Sequence, residues 1–162
     1  MTPYSIRRAG PADAPIIASH RVSMFRDMGQ VPTPALAGEL HRASKTALES
    51  LLTDGTYVGW LAIDERGTVI AGAGVHIKPQ LPRMVHDHSR IETAPVPLVV
   101  NVYTEPAHRR QGISRALMQA VTLWARDQHY DRVVLHASND GRPLYESLGF
   151  QPTNEMIWFP GR

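Results

Sequence analysis

The sequence contains no cysteine. That excludes a disulfide scaffold, a zinc–thiolate centre and a cysteine nucleophile, and it fits a reducing compartment. Long apolar runs are missing too. The longest uncharged apolar stretch, Ala94 to Val100, falls far short of the ~20 residues that cross a bilayer. Met1 to Arg8 has no apolar core after its charges, so no secretory leader is expected and a cytoplasmic location is. Lysine is nearly absent, with only Lys45 and Lys78, so the positive charge is carried by arginine. Arginine suits bidentate recognition of phosphate and carboxylate. Seventeen basic against fifteen acidic residues leave a formal charge of +2 and no basic tract, which argues against a dedicated nucleic-acid binder. Repeats and low-complexity segments are also absent. What remains is 162 residues with 43% hydrophobic and 20% charged, the composition of a single folded domain spanning 1–162.

Periodicity gives the element order. Tyr4 to Arg8 reads as a short strand, and Gly10-Pro11-Ala12-Asp13 as a turn with Asp13 an N-cap. A first helix carries Ala14, Ile17, Met24, Phe25 and Met28 near one face and stops at Gly29; a second opens at Pro32 and Pro34 and keeps the 3.6 period through Leu36, Leu40, Ala47, Leu48 and Leu51. Tyr57 to Ile63 and Val69 to Ile77 flank Asp64-Glu65-Arg66-Gly67 as a hairpin. The proline-rich stretch from Lys78 to Pro97 reads as a long loop with some extended structure. Leu98 to Thr104 is a buried strand, and Ile113, Ala116, Leu117, Ala120, Val121 and Trp124 form one unbroken helical stripe. Arg132 to Ala137 reads as another buried strand, a short helix stops at Gly149, and Phe150 to Phe159 reads as a final strand. The result is a mixed α/β domain with a central sheet.

The chemistry concentrates between Leu98 and Ser114. A buried strand runs into Glu105-Pro106-Ala107-His108, then Arg109-Arg110-Gln111-Gly112-Ile113-Ser114, and straight into the striped helix. The first amides of a helix lack internal partners and sit at the positive end of its dipole, so this junction is an anion site. Gly112 lets a ligand approach the backbone, Ser114 is small and bears a hydroxyl, and Arg109, Arg110 and Arg115 add charge. The combination suits a pyrophosphate, although an R-x-x-G turn before a helix is also a common structural motif.

Two signatures in order raise the specificity. Arg109-Arg110-Gln111-Gly112-Ile113-Ser114 after a strand resembles the [QR]-x-x-G-x-[GA] pattern of the GNAT family of acyl-CoA-dependent N-acyltransferases, departing only at Ser114. Asn139 and Leu144-Tyr145-Glu146-Ser147-Leu148-Gly149-Phe150 resemble its second signature, Y-x-x-x-G-F. The resemblance covers about Leu98 to Phe150. It implies one GNAT-like α/β domain with a mixed, mostly antiparallel sheet, a splayed strand pair and flanking helices. It also implies acetyl-CoA as co-substrate, no metal, a small-molecule or peptide amine as acceptor and, commonly, a homodimer. By the same resemblance, Val102, Tyr103 and Thr104 would pair with the pantetheine arm, the Val102 N–H polarising the thioester carbonyl. Arg109 and the amides of Arg110, Gln111, Gly112, Ile113, Ser114 and Arg115 would hold the pyrophosphate. Asn139 would contact the coenzyme, and Tyr145 would protonate the departing thiolate.

Read alone, Tyr145 is a half-buried aromatic with a solvated hydroxyl; beside the signature, the acid role is favoured. No residue stands out as general base. Glu105, His136, Asp27, Glu155 and a water relay all remain open. His86-Asp87-His88, with His76 ten residues earlier, has metal-like spacing but lacks a third spaced ligand. The resemblance makes Phe25 and Arg26 candidate acceptor contacts, and Tyr57 and Trp60 read as packing residues. Two rivals stand beside a transferase. One is a non-catalytic acyl-CoA sensor of the same fold. The other is a helix-turn-helix DNA binder, against which the flanking buried strands argue.

Overall fold

A computed structural model describes residues 3–160. Strand β1 (Tyr4–Arg8) and a single 3-10 turn lead into helices α1 (Ala14–Asp27) and α2 (Pro34–Thr53). Strands β2 (Tyr57–Asp64) and β3 (Val69–Lys78) follow, then the short β4 (Arg83–Met84) and β5 (Ile91–Glu92). The long β6 (Val96–Thr104), helix α3 (Ile113–Asp127), β7 (Val134–Leu135) and helix α4 (Arg142–Ser147) complete the order. Five strands make one sheet, β1-β2-β3-β6-β7. All neighbours are antiparallel except β6 and β7, which are parallel. No helix among the described residues is long and apolar enough to cross a membrane.

Each face of the sheet has its own core. On one, Ala14, Ile17 and Ala18 of α1 and Leu48 of α2 bury against Tyr57 and Leu61 of β2. On the other, the stripe of α3 supplies Ile113, Leu117, Met118 and Val121 against Trp60, Ala62, Ile70, Ala73, Val75 and Val99. The alternation of β2 and β3 feeds both cores because successive residues of a strand point to opposite faces. Trp124 and Trp60 meet edge to face at 5.6 Å, closing the α3 side.

Asp13 stands at the N-cap position of α1 as expected, although its side chain caps none of that helix's amides; its carboxylate accepts from Arg7 and from the Gly10 amide. Two local expectations are corrected. The strand expected over Arg132 to Ala137 shrinks to two residues, because only Val134 and Leu135 find partners, Leu98 and Val99. The final strand expected over Phe150 to Phe159 does not form. Pro152 removes a ladder donor there, and Met156, Ile157 and Trp158 face solvent.

The proline-rich loop is less loose than its composition suggests. Glu92 is only 2% exposed and sits between Arg132 at 3.1 Å and Arg83 at 3.8 Å. Arg132 also donates to the Gln80 side chain at 2.5 Å, and Arg90 pairs with Asp131. These contacts fasten the loop to the segment that enters β7.

Candidate active site

Strand β6 is irregular where the chemistry is expected. Opposite β3 the register runs Gly72↔Tyr103 and Gly74↔Val100, so β6 holds one extra residue, a bulge. Asn101 sits in it with φ +58°, a left-handed conformation that asparagine tolerates better than most residues. Its side chain is pinned on both ends. Arg21 of α1 donates to Asn101 Oδ1 at 2.7 Å, and Asn101 Nδ2 donates to the Tyr57 hydroxyl at 3.1 Å. Burial pushes the Tyr57 hydroxyl up to about 12, so it stays protonated. Gly74 leaves the room this network needs: a Cβ there would lie 1.9 Å from the Tyr57 hydroxyl oxygen.

The bulge coincides with the point where β6 parts from β7. The two strands pair only at Leu98↔Val134 and Val99↔Leu135. Beyond that, the β7-facing side of Val102, Tyr103 and Thr104 has no strand partner among the described residues, which is the splay expected from the sequence.

At the end of β6 the turn is built largely from backbone. Arg110 and Gly112 adopt φ +62° and +78°, and Gly112 serves as N-cap of α3 with no side-chain hydrogen bond to the first amides. Left-handed residues at 110 and 112 before an uncapped helix suit a concavity of N–H groups, a nest able to receive an anion. The space where a Gly112 Cβ would sit is open. Three side chains brace this turn. Ser114 Oγ lies 2.9 Å from Thr104 Oγ1, tying the helix start to the strand end. Arg109 donates from Nε to the Thr104 carbonyl at 3.0 Å and pairs with Asp27 at 2.5 Å, its guanidinium over the Tyr103 ring. Arg115 donates to Ser147 Oγ at 2.8 Å and so links α3 to α4.

Tyr145 lies on α4, on the same side of the sheet as α3, with its ring edge-on to Phe150 at 6.0 Å. Burial raises its hydroxyl above the usual 10, and among the described residues nothing hydrogen-bonds to it. Gly141 makes room for it, since a Cβ there would come within 3.0 Å of the ring. A cleft of about 200 Å³ opens beside Tyr145, with His136 and Glu155 on its rim, paired at 2.6 Å. Asn139 is exposed in the turn leading to α4.

The Acetyltransferase (GNAT) family matches residues 24–150. The chain belongs to the GNAT acetyltransferase family. A GCN5-related N-acetyltransferase from Ralstonia eutropha JMP134 superposes with a TM-score of 0.84 at 29% identity, covering 96% of this chain and 97% of that one. An acetyltransferase from Clostridium acetobutylicum, solved with acetyl-CoA, gives 0.80 at 27% identity over 97% and 96%. Among curated proteins, the aminoglycoside N(6')-acetyltransferase type 1 of Acinetobacter haemolyticus is 34% identical over 77 residues, 42% of this chain and 49% of that protein. The matched region thus spans about half the length of that relative.

Within this GNAT chain, three of the four side chains weighed as bases are paired: Asp27 with Arg109, and His136 with Glu155. Glu105 lies 3.5 Å from His20, whose pKa burial lowers and whose Nε2 finds no hydrogen-bond partner among the described residues. Phe25 stacks under Arg21 at 4.8 Å. Among the described residues no three His, Asp or Glu side chains gather as a cation site. Sequence reasoning missed the Arg21–Asn101–Tyr57 network and buried His20. The available signal was Asn101 itself, an amide inside an otherwise apolar buried strand, which must find partners.

Proposed function

We propose that this chain is an N-acetyltransferase that moves an acetyl group from acetyl-CoA to the primary amine of a small molecule by direct attack. The observation that carries this reading is the unpaired side of β6 between the bulge and the nest before α3, with Tyr145 packed against the core on the α3 side of the sheet. The amides of residues 110–115 hold the pyrophosphate, and the freed backbone of Val102 to Thr104 pairs with the pantetheine arm. The left-handed Asn101 fixes the direction of the next amide, and the Val102 N–H donates to the thioester carbonyl oxygen as negative charge develops there. The amine nitrogen bonds to the carbonyl carbon, the carbon–sulfur bond breaks, and the Tyr145 hydroxyl gives its proton to the sulfur. The proton lost by the nitrogen restores Tyr145 through solvent.

Ser114, the one departure from the family pattern, fits this role because its hydroxyl is turned onto Thr104 rather than left across the amide cradle. The test is a CoA-release assay over an amine panel, run beside a melting curve with acetyl-CoA. Release with at least one amine, together with a raised melting temperature, is expected. A raised melting temperature with no release from any amine leaves an acyl-CoA-binding module, and no thermal response to acetyl-CoA or CoA defeats the coenzyme site itself.

A further inference from the structure

We propose that Arg21 selects an acceptor that carries an anionic group, a carboxylate foremost, close to its reacting amine. The inference rests on the N-acetyltransferase reading and deepens it. Coenzyme binding at the start of α3, with Tyr145 on the same side of the sheet, assigns that face to acetyl-CoA. An amine that attacks directly must come from the other face, where α1 lies. Arg21 is the α1 residue that reaches the bulge: it donates to the Asn101 side chain at 2.7 Å, one residue before Val102.

Its guanidinium is half-buried and incompletely used. Of its five N–H donors, one bond goes to Asn101, and the flat face rests on Phe25. Among the described residues no carboxylate pairs with it. Of the nearby acids, Asp27 is held by Arg109 at 2.5 Å, and Glu105 lies beside His20 at 3.5 Å; neither reaches Arg21. Burial lowers its pKa, and the Tyr57 hydroxyl is the one ionisable group acting against that. A cation removed from water without a counter-ion is costly, and a bidentate carboxylate is the partner its planar fork matches best. In an α-amino acid the carboxylate lies two bonds from the amine nitrogen, which suits a guanidinium one residue from the polarising amide. A polycationic acceptor meets like charge at the same place. On this ground the chain parts from the Acinetobacter relative, whose name specifies an aminoglycoside.

The experiment compares matched pairs: α-amino acids and short ω-amino acids, each against its own primary amide, with one aminoglycoside as a polycation. CoA release is measured for wild type, Arg21→Gln and Arg21→Lys. Glutamine keeps a donor for Asn101 and removes the charge. Wild type is expected to prefer the carboxylate of the best pair by about 10- to 100-fold in kcat/KM, the usual worth of a charge-assisted hydrogen bond. In Arg21→Gln that ratio collapses towards one through KM, and Arg21→Lys retains part of it. The wild-type ratio stands even if a variant fails to fold. If amines are acetylated but the pairs are equal, or amides and the aminoglycoside win, the inference is overturned while the transferase reading survives. Equal loss on both members in Arg21→Gln also overturns it and makes Arg21 only a brace for Asn101. No release from any amine, with acetyl-CoA still raising the melting temperature, removes the transferase reading and this inference together.

Discussion

The two faces of β6 are built on different plans. Toward α3 and α4 the site is mostly main chain: left-handed turn residues, uncapped helix amides and an unpaired strand side, with a half-buried Tyr145 whose hydroxyl has no hydrogen-bond partner among the described residues. Toward α1 it is a side-chain network, in which Arg21, Asn101 and Tyr57 hold one another. On the proposed reading, a backbone site takes what every acyl-CoA shares, phosphate and amide, and is insensitive to most substitutions. A side-chain network can be altered residue by residue, so it is where the choice of acceptor can change without disturbing the coenzyme.

The sharpest test of that division is Tyr145→Phe. It keeps the ring on Phe150 and leaves the coenzyme cradle untouched, so acetyl-CoA affinity should change little. The single-turnover rate of acetyl transfer should fall by about 10²- to 10⁴-fold, the worth of a positioned acid. Burial raises this hydroxyl above its ordinary value, so it keeps its proton through the neutral range and contributes no loss of rate there. An unchanged single-turnover rate would leave Tyr145 as packing.

Gly112→Asp attacks the backbone side directly. A side chain at φ +78° is strained, and its charge repels the pyrophosphate. Saturation of wild type at a hundredfold excess over Kd should stabilise it by about 2.7 kcal/mol, and the variant should lose that increment in a melting experiment.

Gly74→Ala breaks the other plan. Its Cβ would overlap the Tyr57 hydroxyl, so the ring must leave Asn101. A loss of about 1–3 kcal/mol in urea unfolding is expected, the range for overpacking a core. The acetyl-CoA melting increment should survive in the folded fraction. Loss of that increment as well would show that the two faces are not separable.

The mildest change is Ser114→Ala, which meets the family pattern but cuts the link to Thr104. About 0.5–1.5 kcal/mol of stability should go, as for an ordinary hydrogen bond, with coenzyme binding retained.

The same contrast separates what the sequence revealed from what it hid. The nest before α3 was legible because its residues are contiguous and helix-start physics is local; the α3 stripe was legible from its period. The bulge was not, because the partners of Asn101 lie 80 residues away at Arg21 and 44 away at Tyr57. Val102 to Thr104 were placed correctly as the free side of a strand, although the length of β7 was not: the apolar run Val133, Val134 and Leu135 signals burial, not how many neighbours the strand will find. Phe150 to Phe159 failed for the same reason, since strand-forming residues with no paired edge beside them do not make a strand.

The buried carboxylate of Glu92 has a consequence for motion. Held between Arg83 and Arg132, it joins the proline-rich loop to the entry of β7 through charge rather than through a backbone ladder. The two segments are therefore one opening unit. Amide protons of Ile91 and Glu92 should exchange with solvent in step with those of Val134 and Leu135, although four decades of sequence and no shared strand pairing separate them. The far wall of the splay would then breathe as a single piece, with an arginine–glutamate cluster as its hinge pin.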